Sequence, residues 1–158
     1  MTAADQLRPA RLEDPLLRLA RVPAPSVPLV QRLYREIGGN YHWADRWGWS
    51  AAEWQAWVER PGYGVWILSY DGDLAGFFEL RWDESGACEI ELFGLVPKYH
   101  GRGFGKHMLT GAVDIAWAVG ATRVWLHTCT LDDEAALPNY LKRGFTPFKT
   151  ETYTAEVE

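Results

Sequence analysis

The segment with the clearest chemistry is residues 100–106, which read His-Gly-Arg-Gly-Phe-Gly-Lys. Its three alternating glycines permit positive φ and let the main chain come close to a bound group. A strongly helical pattern follows from Gly103 to Val119, so the turn leads into a helix N-terminus, where unpaired N–H groups and the helix dipole favour phosphate. Arg102 and Lys106 add positive charge. The segment therefore predicts a phosphate-binding turn, although a plain tight turn before a helix stays open.

Two common nucleotide-binding turns do not match this segment. A nucleoside-triphosphate loop requires GxxxxGK followed by Ser or Thr, whereas Lys106 is followed by His107 and the glycine spacing differs. A dinucleotide fingerprint requires GxGxxG and an acidic residue about 20 positions later. Here the spacing is GxGxG, and the region near Arg123 is basic.

Several side chains are candidates for proton transfer. Glu89 and Glu91 lie two residues apart on a predicted strand, so both should point to one face. One or both could instead face solvent opposite Arg81. Tyr140 near the last predicted helix is either a proton donor or a packing residue. His127 could line an acceptor pocket or serve as a base, and a core or edge histidine is an equal alternative.

Residues 40–48 form an aromatic loop, Asn-Tyr-His-Trp-Ala-Asp-Arg-Trp-Gly. Tyr34 from the preceding helix, together with His42 and Trp43 from the loop, could contact a substrate. An aromatic wall with the carboxylate of Asp45 would suit an ammonium group. The alternative is that these aromatic side chains only pack the helices onto the sheet. No histidine pair has HxxxH or HExxH spacing, so we predict no metal site.

The elements that must position these residues follow the order β α α β β β α β α β. Three strands joined by tight turns predict an antiparallel meander, and the strand–helix–strand unit after it should be parallel and right-handed. The sequence therefore predicts an α/β chain with one mixed sheet. Its first 14 residues form a flexible lead-in, and residues 15–158 form a single domain. The predicted strands are 16–22, 65–70, 74–82, 87–96 and 123–130; the predicted helices are 26–37, 50–59, 103–119 and one ending at 142–144; a final extended segment covers 145–157.

The composition excludes several classes of protein. The chain has 158 residues, 47% hydrophobic and 23% charged, an ordinary balance for a globular domain. A net charge of −5 argues against nucleic-acid binding. Cys88 and Cys129 lack CxxC spacing and are expected to be buried thiols in a reducing compartment. The chain has no apolar run of about 20 residues and no apolar signal core at its start, so we predict a soluble, cytoplasmic protein without membrane contact.

Motifs in three places resemble the GNAT (Gcn5-related N-acetyltransferase) superfamily. Residues 100–105 resemble its pyrophosphate motif, Gln/Arg-x-x-Gly-x-Gly/Ala, with His100 where Gln or Arg is usual. Residues 95–99 resemble the end of its fourth strand. Residues 140–145, Tyr-Leu-Lys-Arg-Gly-Phe, are similar to its Tyr-x-Lys-x-Gly-Phe signature. The resemblance covers roughly residues 16–155 and implies a GNAT-like fold whose central fourth and fifth strands splay apart.

The resemblance also implies an activity, in which an acetyl group passes from acetyl-CoA to a primary amine by direct attack in a ternary complex. Main-chain groups near Phe93, Leu95 and Val96 would bind the thioester and the pantetheine arm. A β-branched side chain at Gly103 would be expected to block the cofactor by occupying phosphate space. The diphosphate would be held by the turn residues His100, Gly101, Arg102, Gly103, Gly105 and Lys106.

The resemblance assigns catalytic roles to three residues. Tyr140 would protonate the leaving thiolate, and Glu89 or Glu91 would act as the general base. The region between the first two helices would roof a site for a small-molecule or peptide amine, and a homodimer is compatible with the family. Two other classes stay open: a non-catalytic acyl-CoA-binding module, and a nucleotide-binding protein that uses the glycine turn.

Overall fold

A computed structural model describes residues 1–39, 46–128 and 134–150. Within these residues five strands form one sheet in the order of the chain. The three pairings among the first four strands are antiparallel, and the fourth strand pairs with the fifth in parallel. The strands are β1 (Leu17–Arg21), β2 (Tyr63–Tyr70), β3 (Asp73–Trp82), β4 (Ala87–Leu95) and β5 (Arg123–Leu126). The α-helices are α1 (Val27–Gly38), α2 (Ala51–Val58), α3 (Phe104–Val119) and α4 (Ala136–Lys142). The predicted meander and parallel β–α–β unit are confirmed.

Local chemistry explains where the helices begin and end. The Ser26 hydroxyl accepts a hydrogen bond from the N–H of Leu29 at 3.3 Å and starts α1. Ser50 and Glu53 form the predicted capping box at the start of α2. Gly103 and Gly120 flank α3, both with positive φ, at 78° and 112°. None of the helices within the described residues is both long and apolar enough to cross a membrane.

The sheet separates two apolar clusters. One lies between the sheet and α3 and includes Ile90, Met108 and Val124, while the other lies under α1 and α2. Val119, the last residue of α3, is exposed and lies at the rim of an open cleft. Val113 of the same helix is fully buried.

The strand β4 contains a bulge that the sequence did not predict. Leu80 of β3 lies opposite Ile90, and Glu79 lies opposite Leu92, so Glu91 is the extra residue between them. Ile90 packs in the α3 cluster, and Leu92 packs in the cluster under α1 and α2. The bulge thus bends β4 at Glu91 and changes the alternation of its side chains.

The end of the chain differs from the prediction. The strand predicted for 123–130 ends at Leu126; His127 and Thr128 follow it outside any strand, and 129–130 lie outside the described residues. Residues 145–150 are not a strand, and the rest of the predicted final segment lies outside the described residues.

The N-terminal segment, predicted to be a flexible lead-in, lies against other elements. The N–H of Arg8 donates to the carbonyl of Arg143 at 2.9 Å. Ala10 N–H donates to the hydroxyl of Thr110 at 3.0 Å. These contacts hold the segment on α3 and the end of α4, although the division of the chain at residues 14 and 15 remains a prediction.

A buried ion pair fixes the end of the aromatic loop. Arg46 and Glu79 are 2% and 0% exposed, and the guanidinium donates to both carboxylate oxygens at 2.9 and 2.6 Å. The Tyr63 hydroxyl also donates to Glu79. The Arg46 guanidinium lies 4.1 Å from the Trp57 ring centroid and 5.2 Å from that of Trp49. Several of the tryptophans therefore surround a buried cation.

We expect Glu79→Gln to lower the free energy of unfolding by about 3–5 kcal/mol, because it leaves the Arg46 charge buried without its counter-ion. The matched control is Glu36→Gln, which removes the exposed Arg32–Glu36 pair and should change stability by less than about 0.5 kcal/mol. Urea denaturation measures both. Equal small losses in the two variants would contradict the importance of the buried pair.

Candidate functional site

The pairing of β4 with β5 ends before β4 does. The parallel register runs from Ala87–Arg123 to Ile90–Leu126, whereas β4 continues to Leu95. The second half of β4 keeps its pairing with β3 and diverges from β5. This early end of the pairing is what the predicted splay requires, and the splay would open a gap beside the main chain of Phe93 and Leu95.

Of the three residues predicted to bind a ligand through their main chain, Val96 is already paired within the protein. Its N–H donates to the carbonyl of Ala75 at 2.7 Å, and its carbonyl accepts from the N–H of Tyr99 at 2.9 Å. The chain turns there into a single turn of 3₁₀ helix at Pro97–Tyr99. We therefore remove Val96 from the set and keep Phe93 and Leu95.

Tyr140 lies beside this part of β4 and is 7% exposed, within the apolar cluster between the sheet and α3. Helix α4 places its ring edge-on to Phe93, with centroids 6.2 Å apart and planes at 72°. Phe145, which follows the helix, packs against the other side of Tyr140 at 6.4 Å. The structure thus brings together Phe93 and Tyr140, which are far apart in the sequence, beyond the last β4–β5 pair.

The three glycines of the 100–106 turn meet different surroundings. A Cβ at Gly101, where φ is 75°, would have no heavy atom within 4 Å. A Cβ at Gly105 would lie 3.6 Å from a methyl group of Leu95. At Gly103 a Cβ would lie 3.6 Å from the side chain of Leu12. A Cβ at Gly103 would therefore contact Leu12, whereas one at Gly101 would enter open space, and the expected block of the cofactor by a side chain at Gly103 remains a prediction.

The start of α3 has the features of an anion site. Its N-cap, Gly103, makes no side-chain hydrogen bond to the first turn, which leaves those N–H groups without a side-chain cap. Lys106 is exposed beside it. The Arg102 guanidinium lies over the rings of Tyr70 and Phe104, at 4.9 and 5.1 Å. The ring Nε2 of His100 lies 3.3 Å from the Leu95 carbonyl oxygen, so the motif's first residue contacts the strand end.

The two candidate glutamates have different partners. Glu89 Oε1 lies 3.0 Å from His127 Nδ1, and these side chains are 20% and 74% exposed. Glu89 sits opposite Trp125 in the register, one pair before the strands diverge. The structure thus joins Glu89 with His127 at the mouth of the gap.

Glu91 is instead held by an arginine that sequence reasoning did not single out. Arg60, just after α2, lies 3.1 Å from the Glu91 carboxylate, which is 5% exposed. Burial raises the pKa of Glu91, and the ion pair with Arg60 opposes that effect. Arg60 also lies 3.4 Å from the Trp57 ring centroid. No sequence spacing indicates this pair, because its members lie on separate elements.

The predicted acceptor residues are placed only in part. Tyr34 is 1% exposed, and its hydroxyl accepts a hydrogen bond from the N–H of Arg46 at 3.1 Å. Tyr34 therefore supports the end of the aromatic loop from inside the core. His42 and Trp43 lie outside the described residues. Trp47, which is exposed, packs at 6.4 Å from the ring of Tyr34.

Two further chemistries have little support. Cys88 is buried, and burial raises the pKa of its thiol to about 12, so it is a poor nucleophile. Cys129 lies outside the described residues. Within the described ranges, no three His, Cys, Asp or Glu side chains group as metal ligands, and the absence of a metal remains a prediction.

A separate cleft lies at the other end of α3. Trp66, Trp82 and Val119 line it with Arg21, Gly62 and Tyr63, and its volume is about 210 Å³. Known ligand sites usually have roughly 300–1,000 Å³. None of the predicted site residues lines this cleft.

Comparison with known proteins agrees with the splayed sheet. The model of the "Acetyltransferase (GNAT) family" matches residues 29–145, more than half of the chain. The chain belongs to the GNAT acetyltransferase family. GNAT enzymes use acetyl-CoA as the acyl donor, so acetyl transfer is the general kind of reaction and the chain is an N-acetyltransferase of this family.

Individual GNAT relatives are distant. The chain is 25% identical over 132 residues to the "Uncharacterized N-acetyltransferase YjgM" of Escherichia coli, a match that covers 78% of this chain and 77% of that protein. An aminoglycoside acetyltransferase from a soil metagenome has the same fold, with a TM-score of 0.70, 13% identity and coverage of 92% and 99%. The PaiA N-acetyltransferase of Thermoplasma acidophilum, solved with coenzyme A, gives a TM-score of 0.61, 18% identity and coverage of 85% and 92%.

We expect Gly101→Val to raise the Kd for acetyl-CoA at least about tenfold, because its side chain would enter the open space before the turn and crowd a bound phosphate. Gly72→Val is the matched control: Gly72 has φ of 84°, and its added Cβ would also have nothing within 4 Å, but it lies in the β2–β3 turn. Calorimetric titration measures both. An unchanged Kd in Gly101→Val would contradict the placement of the phosphates.

Proposed function

We propose that this protein transfers an acetyl group from acetyl-CoA to a primary amine by direct attack within a ternary complex. The observation that carries the proposal is the early end of the β4–β5 pairing, with Tyr140 on one side of the gap and the glycine turn at its end. A donor with a long polar arm and a diphosphate fits such a gap, because the main chain of β4 beyond its last pair with β5 and the helix N-terminus of α3 follow each other along the chain, in the order of the two parts of the donor.

The donor is held by main-chain groups. In the proposal, Phe93 and Leu95 bind the thioester and the pantetheine arm, and the amides of residues 101–106 bind the diphosphate. The exposed charge of Lys106 adds to the attraction, while His100 holds the strand end through the Leu95 carbonyl. Acetyl-CoA supplies the activated thioester. An N–H of Phe93 or Leu95 stabilises the negative charge that develops on the thioester oxygen.

The acceptor amine must lose a proton before it attacks. A lysine-like amine has a pKa of about 10.4, so deprotonating it to the neutral form at pH 7 costs about 4.6 kcal/mol. Glu89 and His127 form the pair that accepts this proton, directly or through a water molecule. Glu91 is the weaker candidate, since Arg60 already neutralises it.

The leaving group also needs a proton. The new N–C bond forms as the C–S bond breaks, and the Tyr140 hydroxyl donates its proton to the departing sulfur. Tyr140 lies against Phe93, on the strand proposed to bind the thioester, and this contact supports its role as the acid. The nitrogen loses its second proton to solvent as the amide forms, solvent reprotonates Tyr140, and the base releases the proton that it took, so that one proton is released in each turnover.

The acceptor is a small molecule or a peptide with a primary amine. The net charge of −5 and the exposed Glu89–His127 pair favour a cationic acceptor. Structurally similar proteins include an aminoglycoside acetyltransferase and the ribosomal-protein-S18-alanine N-acetyltransferase of Escherichia coli, so both kinds of amine belong in the test. A cytoplasmic location and a homodimer remain predictions.

The experiment is a thiol-release assay with acetyl-CoA against a panel of aminoglycosides, polyamines and peptide N-termini. We expect release of CoA that depends on one class of amine, and a loss of turnover of about 100-fold or more in Tyr140→Phe with an unchanged Kd for acetyl-CoA. Tight binding of acetyl-CoA without release on any amine would indicate a non-catalytic acyl-CoA-binding module. Unchanged turnover in Tyr140→Phe would remove its role as the acid.

The two glutamates are separated by their pH–rate profiles. The base works only when deprotonated, so kcat/KM of the wild type should rise with pH through the pKa of the base. Glu89→Gln should lower kcat/KM by about 100-fold or more and should change the rise of kcat/KM with pH. Glu91→Gln should lower stability, because it leaves Arg60 without its counter-ion, and should keep the rise of kcat/KM with pH seen in the wild type. If both variants keep the wild-type pH–rate profile, neither glutamate is the base, and water or the acceptor itself takes up the proton.

A further inference from the structure

Residues 8–12 form an extended segment, here called the N-terminal strap. The main-chain N–H groups of Arg8, Ala10 and Leu12 all donate to helices. Because alternate residues of an extended chain point the same way, these three N–H groups lie along one edge of the segment. Arg8 reaches the Arg143 carbonyl at the end of α4, and Ala10 and Leu12 reach α3. The strap therefore joins the two helices that carry the donor motifs.

Two side chains of α3 receive the strap. Thr110, 1% exposed, accepts from Ala10 N–H at 3.0 Å and donates to the Lys106 carbonyl at 2.8 Å. His107 Nδ1 accepts from Leu12 N–H at 3.0 Å, which requires a neutral imidazole. Burial and the nearby Arg11 lower the pKa of His107 and so favour that form. Thr110 thus links the strap to the carbonyl of Lys106 in the first turn of α3.

The strap also packs closely on both glycine motifs. The Leu12 side chain occupies the space on the outer side of Gly103, 3.6 Å from where a Cβ would be. At the other motif, a Cβ on Gly144 would lie 2.0 Å from the carbonyl oxygen of Gln6, two residues before the strap, and 3.6 Å from the main-chain nitrogen of Arg8 within it. Gly144 has φ of 107°, so both its conformation and this contact require glycine.

We propose that the N-terminal strap is part of the donor-binding site: it orders the turn before α3 and holds α3 against α4, and it thereby sets the affinity for acetyl-CoA. This inference rests on the proposed function. Its basis is that the strap contacts the back of Gly103 and the side chains of His107 and Thr110, leaving the Gly101 side of the turn open. Binding is tighter when the receiving groups are already ordered, because less conformational entropy is lost. The strap residues are positioning residues and take no part in the chemistry.

The test compares matched variants by calorimetric titration with acetyl-CoA and by steady-state kinetics. Thr110→Val keeps the shape and removes the acceptor for Ala10, whereas Thr110→Ser keeps the hydroxyl. Leu12→Ala removes the contact with Gly103, and Leu16→Ala makes the same change at an exposed leucine outside the strap. We expect Thr110→Val to raise the Kd about five- to tenfold, the factor that one lost hydrogen bond carries, with kcat at saturating donor nearly unchanged. Leu12→Ala should also raise the Kd without lowering kcat, because it removes the packing of the strap on Gly103.

Thr110→Ser should restore most of the affinity, and Leu16→Ala should match the wild type. If Thr110→Val and Leu12→Ala lower the melting temperature but leave the Kd unchanged, the strap is only structural and the proposal is overturned. A loss of kcat with an unchanged Kd overturns it as well.

A separate measurement distinguishes this failure from a failure of the proposed function. Amide hydrogen exchange over residues 101–107 is read without any ligand. Faster exchange in Thr110→Val than in Leu16→Ala supports the ordering of the turn by the strap, and equal exchange overturns it. Absence of acetyl-CoA binding by the wild type would overturn the proposed function, and the exchange result would still decide whether the strap orders the turn.

Discussion

The end of the parallel β4–β5 ladder at Ile90–Leu126 is the constraint on which the site depends. The bulge at Glu91 comes directly after that last pair, and a bulge bends its strand and increases the local twist. A strand that turns away from its neighbour at this point cannot continue the ladder. The remaining part of β4 then lies beyond the parallel ladder, and the proposal places the pantetheine arm of the donor beside it.

The remaining parts of the proposed site are arranged along this divergence. Glu89 and His127 lie next to the last β4–β5 pair. Phe93 and Tyr140 lie beyond that pair, and the glycine turn lies past the end of β4. The proposed proton acceptor, proton donor and anion site would thus follow the chain direction of a single strand. On the other face of the sheet, the buried Arg46–Glu79 pair ties the end of the aromatic loop to β3.

The sequence predicted the elements and the glycine turn before α3 because both depend on local chemistry. Periodicity, the Ser50–Glu53 capping box and the glycines are all signals within a few residues. What it missed depends on contacts between distant residues. Glu79 lies 33 residues from Arg46, and Arg60 lies 31 residues from Glu91, and no spacing rule links such pairs. The bulge in β4 changes a strand by one residue, which periodicity does not resolve.

The strap and the direction of a side chain at Gly103 were missed for the same reason, since Leu12 and Gly103 meet only in the folded chain. Glycine spacing shows that the main chain takes unusual conformations, but it does not show which side of the turn is open. That distinction separates Gly101 from Gly103, and it follows from the packing of the strap on α3.

The most direct measurement of the central claim is a crystal structure of the protein with acetyl-CoA. The account predicts the pantetheine arm in the gap beside Phe93 and Leu95, and diphosphate oxygens within about 2.7–3.2 Å of main-chain nitrogens of residues 101–106. Acetyl-CoA bound instead in the cleft between Trp66 and Trp82, or a β5 that pairs with β4 as far as Leu95, would contradict it.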